Sequence, residues 1–175
     1  TTDGRDSPGI AASGGASVTA TNVRVTTSGN DNAMGVIADL DGMINLTNAV
    51  ITTTGGEVRS GARPHALAAR NPNGILTATG TTVTTSGLLA MGLVADDGGV
   101  LTFSQGRVTT SGTSGIGLFS VTEQTGAQFA ANLTASDLSI TTSGSLAHAV
   151  AAQSRNDISA PLALATVNRA IVLTT

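Results

Sequence analysis

The sequence predicts an all-β fold, a right-handed parallel β-helix (a three-sided β-solenoid) of about five to six coils. Three observations carry that prediction. Five copies of one pentapeptide punctuate the chain, each repeat holds two further apolar segments, and only 2% of the 175 residues are aromatic. The copies are Val25-Thr26-Thr27-Ser28-Gly29, Ile51-Thr52-Thr53-Thr54-Gly55, Val83-Thr84-Thr85-Ser86-Gly87, Val108-Thr109-Thr110-Ser111-Gly112 and Ile140-Thr141-Thr142-Ser143-Gly144. Their glycines stand 26, 32, 25 and 32 residues apart. Such intervals fall in the range of stacked repeat architectures, and the longer ones suggest loop insertions into a basic coil of 25 or 26 residues.

The second segment follows each pentapeptide and aligns without gaps. It reads Ala33-Met34-Gly35-Val36-Ile37-Ala38, Pro64-His65-Ala66-Leu67-Ala68-Ala69, Ala90-Met91-Gly92-Leu93-Val94-Ala95, Gly115-Ile116-Gly117-Leu118-Phe119-Ser120 and Ala147-His148-Ala149-Val150-Ala151-Ala152. The third segment comes after a glycine turn: Gly42-Met43-Ile44-Asn45-Leu46-Thr47, Gly74-Ile75-Leu76-Thr77-Ala78, Gly99-Val100-Leu101-Thr102-Phe103 and, more loosely, Gly126-Ala127-Gln128-Phe129-Ala130. Three short β-prone runs per repeat, each apolar on one face, bury that face by closing a coil and stacking on neighbours. Period-two alternation then puts Val36, Leu67, Leu93, Leu118 and Val150 in one inward column and Ala38, Ala69, Ala95, Ser120 and Ala152 in another. On the pentapeptide strand it points Val25, Ile51, Val83, Val108 and Ile140 inward, and Thr26, Thr52, Thr84, Thr109 and Thr141 outward as a ladder. A helical repeat needs apolar residues at spacings of three and four, and a propeller blade needs four strands; neither pattern is present.

These expectations give one segment over 1–175, with an irregular N-terminal end over 1–15, repeat coils over 16–157 and terminal strands over 158–175. Five or six coils at about 4.8 Å each make a rod of roughly 25–30 Å with open ends, which suggests a longer natural polypeptide. Mean hydropathy of +0.23 is too apolar for disorder. Net charge is −3 and all eight basic residues are scattered arginines, so nucleic acid is not an expected partner. Cysteine is absent, which removes disulfides and thiolate chemistry and is compatible with export. The N-terminus shows no charged-then-apolar signal region, and no apolar run approaches the length of a membrane span, so this segment is expected to make no membrane contact.

Thr-Thr-Ser-Gly, a short variable loop, then Ala33-Met34-Gly35-Val36-Ile37-Ala38 and Asp41-Gly42-Met43-Ile44-Asn45-Leu46-Thr47 closely resemble the pertactin-like passenger domains of type V bacterial autotransporters, over about residues 16–155. The resemblance implies export, translocation by a C-terminal outer-membrane β-barrel and display at the bacterial cell surface. It also implies a non-enzymatic role as adhesin or rigid stalk, with a host or neighbouring-cell surface protein or glycan as partner. Fold alone does not fix the ligand.

Two residue groups are candidates for function. Asp39, Arg70 and Asp96 hold one repeat position in successive coils, with Asp41 and Asp97 nearby, so they should stack as a charged ladder. Read as chemistry, this ladder suits Ca²⁺ or a sugar acid, as in a pectate-lyase-like carbohydrate-active enzyme; read plainly, it is a solvated corner of alternating charge. Glu57, Arg59 and Arg63 in one loop insertion and Glu123 in another are candidate contact residues, since loops on a rigid scaffold carry specificity. His65 and His148 recur where Met34, Met91 and Ile116 stand in other coils, roughly 14 Å apart, too far to share a metal. The serines recur with the repeat, which marks them as structural. No catalytic, cofactor-binding or metal-binding residue is therefore expected. A self-associating module, pairing by open ends or a threonine face, is the remaining alternative.

Overall fold

The structure is a computed structural model that describes residues 1–31, 33–56, 64–123, 129–154 and 161–175. These residues form β1 (Ile10–Ala12), β2 (Ser17–Thr21), β3 (Arg24–Thr27), β4 (Val36–Asp39), β5 (Met43–Thr47), β6 (Val50–Thr53), β7 (His65–Arg70) and β8 (Ile75–Thr79), followed by β9 (Thr82–Thr85), β10 (Met91–Asp96), β11 (Val100–Ser104), β12 (Arg107–Thr110), β13 (Ile116–Thr122), β14 (Asn132–Thr142), β15 (His148–Ser154) and β16 (Leu164–Thr174). Among the described residues there is no helix. The stretch 1–15, expected to be irregular, contributes β1, which pairs with β4, and Thr2, which bridges Thr27.

Every strand pairing is parallel, and the strands of two sheets interleave along the chain. The first sheet has the order β1-β4-β7-β10-β13-β15. The second runs β2-β5-β8-β11-β14 and doubles back through β12-β9-β6-β3, with β16 also on β14. It doubles back because β14 spans, as one 11-residue strand, the two positions that separate strands fill in earlier repeats. Insertions leave the register unchanged: Leu67 faces Leu93, Leu93 faces Leu118 and Leu118 faces Val150, although the last step takes 32 residues and the first two 26 and 25.

Between strands the chain turns through left-handed residues at three places in the repeat. One corner uses Asn22, Asn48, Gly80, Gln105, Asp137 and Arg169; another uses Asp31, Leu89, Ser114 and Leu146; the third uses Asp41, Asn73 and Gly98, all at positive φ. Asn and Asp tolerate that region because their short side chains bond locally, whereas leucine there is strained and is held by its surroundings. The pentapeptide glycine has a different cause. A Cβ at Gly55, Gly87 or Gly112 would lie inside the van der Waals envelope of the carbonyl of Gly29, Gly55 or Gly87, the equivalent residue one repeat back.

The larger of two buried clusters is built of stacked columns. Val25, Ile51, Val83, Val108 and Ile140 are buried in register, as are Val36, Leu67, Leu93 and Leu118 and, beside them, Ala38, Ala69, Ala95 and Ser120. Val150 and Ala152, expected to face inward with them, are exposed because β15 is the last strand of the first sheet. In another column Leu46 and Phe103, the large members, alternate with Ala78 and Ala135, so the slim interior accepts one ring where its neighbours are alanine. Alternation breaks in the first sheet, where Ala66 and Leu67 both face this cluster. Met34, Ala68, Met91, Val94, Phe119 and Val121 form a second buried cluster, so that sheet buries both faces.

Beside the outward threonines runs a second, buried column: Thr27, Thr53, Thr85, Thr110 and Thr142, each no more than 1% exposed. Their Oγ1 atoms have no hydrogen-bond partner among the described residues. An unsatisfied buried hydroxyl costs about 1–3 kcal/mol. Thr85→Val, which keeps the shape and removes the hydroxyl, is therefore expected to stabilise the protein by about 1 kcal/mol in urea unfolding. A loss of stability would show that the hydroxyls are paired through ordered water.

Candidate functional site

The charged ladder lies where the first sheet ends and the chain turns toward the second. Asp39 faces Arg70, Arg70 faces Asp96, and the next position in the column is Val121, where the charge stops. Strand geometry sets this column: the residue after the inward alanine points out of the sheet at the mouth of the corner. The turn closes behind it through the Gly42 N–H to the Asp39 carbonyl and the Gly99 N–H to the Asp96 carbonyl, each 2.9 Å.

The carboxylates bond across repeats. The Arg70 Nε donates to Asp96 Oδ2 at 2.9 Å, Asn71 Nδ2 to Asp39 Oδ1 at 2.5 Å, and Asn73 Nδ2 to Asp41 Oδ1 at 2.9 Å. Asp97, 8% exposed, accepts the Glu123 backbone N–H on Oδ1 at 2.8 Å. Glu123 is itself exposed, so this contact ties the start of its loop to the ladder. Glu57, Arg59 and Arg63 lie outside the described residues. Chemically, the arrangement is a set of clamps between successive repeats: each carboxylate named here accepts a hydrogen bond from the neighbouring repeat or the loop that follows it.

Asp96 is the group most changed by its surroundings. Burial pushes its carboxyl up to about 6, while the Arg70 guanidinium pulls it down and Asp97 and Glu123 push it further up. A folded-state value above the ordinary 3.8 means that the native protein holds this proton more tightly than the unfolded chain. The stability from this group is thus complete below about pH 4 and is lost as pH rises through about 6. Asp96→Asn is expected to match the parent at pH 4 and to exceed it at pH 7.5 by up to about 3 kcal/mol, read from urea midpoints. Equal stability at both pH values would show that Arg70 fully offsets the burial.

Two further ion pairs were not visible in the sequence. Arg5 Nε lies 3.2 Å from Asp31 Oδ2, a fully buried carboxylate, and ties the first residues over β3. Arg169 grips Asp137 through both carboxylate oxygens, at 2.5 and 2.6 Å, and this hydrogen bonding holds the Asp137 carboxyl below its usual range. In hindsight the signal for the second was the interval of 32 residues, the length of a long repeat. His65 and His148 share one column, with Met91 and Ile116 between them, so three strand steps of about 4.8 Å separate them. Among the described residues no three His, Asp or Glu side chains converge as a metal site, and no helix is long and apolar enough to cross a membrane. Comparison with family models, with curated proteins and with solved structures finds no match to this chain.

Proposed function

We propose that the chain is a right-handed, three-sided parallel β-helix and a non-enzymatic passenger segment of the pertactin-like kind, acting as adhesin or rigid stalk on a bacterial surface. The observation that carries this reading is the unshifted parallel register, repeat upon repeat, with left-handed corners at three places in the repeat. Such a stack gains rigidity from continuous backbone ladders and aliphatic columns, and it holds any loop at a fixed distance from its anchor. The partner in this reading is a host or neighbouring-cell surface protein or glycan, and a C-terminal outer-membrane β-barrel supplies translocation.

The enzyme reading draws less support from the geometry, because the acidic side chains it would use are spent on clamps between repeats. The test is to place the chain between a secretion signal and an outer-membrane β-barrel translocator in a Gram-negative host. The expected result is a passenger that external protease removes from intact cells, and purified chain that releases no unsaturated or reducing ends from acidic polysaccharides. Retention in the periplasm would overturn the surface assignment, and polysaccharide cleavage would overturn the non-enzymatic one.

A further inference from the structure

Strands β2, β5, β8 and β11 and the first halves of β14 and β16 share one outer face with an unusual chemistry. Five consecutive pairings stack without a shift, so Thr19, Asn45, Thr77, Thr102, Thr134 and Thr166 form one outward column. Two residues along, Thr21, Thr47, Thr79, Ser104, Ser136 and Asn168 form a second. A third column beside them carries Met43, Ile75, Val100 and Leu164, which are 42%, 39%, 36% and 54% exposed. No outward position on this face bears a charge. The other faces differ: the pentapeptide strands point Arg24 and Arg107 outward, and the first sheet carries Asp39, Arg70 and Asp96.

From this geometry we propose that the uncharged threonine face binds ice. A surface that adsorbs to ice must order a sheet of water in register with the crystal, which requires a flat, rigid, two-dimensional array of small groups. Threonine supplies both parts, since its methyl group cages neighbouring water and its hydroxyl anchors that water by a hydrogen bond. Here the array repeats at about 4.8 Å across the strands and about 6.7 Å along them. The first spacing lies close to the shorter repeat of the prism plane of hexagonal ice, and the second falls short of the longer repeat by an amount that side-chain rotation must take up. Absence of charge matters because an ion imposes its own hydration shell on the water above it.

A second copy of the chain fits the same face less well. Six strands by five residues give roughly 400 Å² per partner, so a face-to-face pair buries only about 800 Å², below the roughly 1,200–2,000 Å² of stable complexes. A crystal of ice sets no such limit, because adsorption gains from every group that matches the lattice at once. Adsorption by this face needs the register, the threonines and the absence of charge, and no display at a cell surface.

The test uses the purified 175-residue chain. Ice crystals grown in its millimolar solution are expected to become faceted, with a gap between melting and freezing points and slowed recrystallisation. Thr102→Lys and Thr134→Lys, in the middle of the face, are expected to lose these effects while their circular dichroism stays that of the parent. Thr109→Lys, on the pentapeptide face, is expected to keep them. Round crystals with the parent protein, or equal loss from Thr109→Lys, would overturn the proposal. So would concentration-dependent sedimentation abolished by Thr102→Lys, which assigns the face to a second copy.

Discussion

Gly112→Ala is expected to destabilise the protein by at least about 3 kcal/mol, or to prevent it from folding. The added methyl meets the Gly87 carbonyl oxygen, its carbon and the Gly87 nitrogen, all backbone atoms of the turn after β9, where that carbonyl accepts the Ala90 N–H. No side chain can swing away to make room, so the strain must be relieved by separating two repeats along their whole contact. Thr113→Ala, next in sequence and exposed, is expected to change stability by less than about 0.5 kcal/mol. Urea unfolding of both variants checks the contrast, and a mild Gly112→Ala would mean that the repeats stack less closely than the structure shows.

Phe103→Ala is expected to cost about 3–5 kcal/mol. The ring is fully buried between Ala78 and Ala135, and a Cβ built at Gly106 would touch its edge. Its neighbours in the column are already alanine, so nothing nearby is large enough to collapse into the space left behind. Phe103→Leu retains most of that volume and is expected to cost no more than about 1.5 kcal/mol. Equal losses from the two variants would place the ring outside the column.

Much of this fold was legible because the repeat aligns itself. Once the pentapeptides are stacked, Val25 falls on Ile51 and Leu67 on Leu93, and the structure has those pairs in register. Alternation also separated adjacent threonines, since Thr26 was expected outward and Thr27 is the buried one; less legible was that the buried hydroxyl has no partner among the described residues. The break in alternation at Ala66 and Leu67 was hidden as well, since both are apolar and either parity reads as inward. Leu89 and Leu146 gave no sign of their left-handed backbone, because a corner imposed by stacked neighbours overrides local preference.

The candidate site divides along the same line. Asp39, Arg70 and Asp96 could be aligned because they end equivalent strands. Asn71, the partner of Asp39, and Asn73, the partner of Asp41, read as ordinary turn residues, and only the corner geometry turns those amides toward the previous repeat. The Arg5–Asp31 pair lay beyond sequence reasoning because it joins the chain start to a corner whose later described residues, Leu89, Ser114 and Leu146, carry no charge.

The stacked parallel register is the claim on which the rest depends, and engineered cysteines test it directly because the chain has none of its own. Thr84 and Thr109 are register partners on adjacent strands, about 4.8 Å apart at Cα, within reach of a disulfide. Thr84 and Thr141 are two strand steps apart, about 10 Å, beyond that reach. Under mild oxidation Thr84→Cys with Thr109→Cys is expected to close an intramolecular disulfide in the folded protein, while Thr84→Cys with Thr141→Cys stays reduced. Closure of the second pair in preference to the first would contradict the stack.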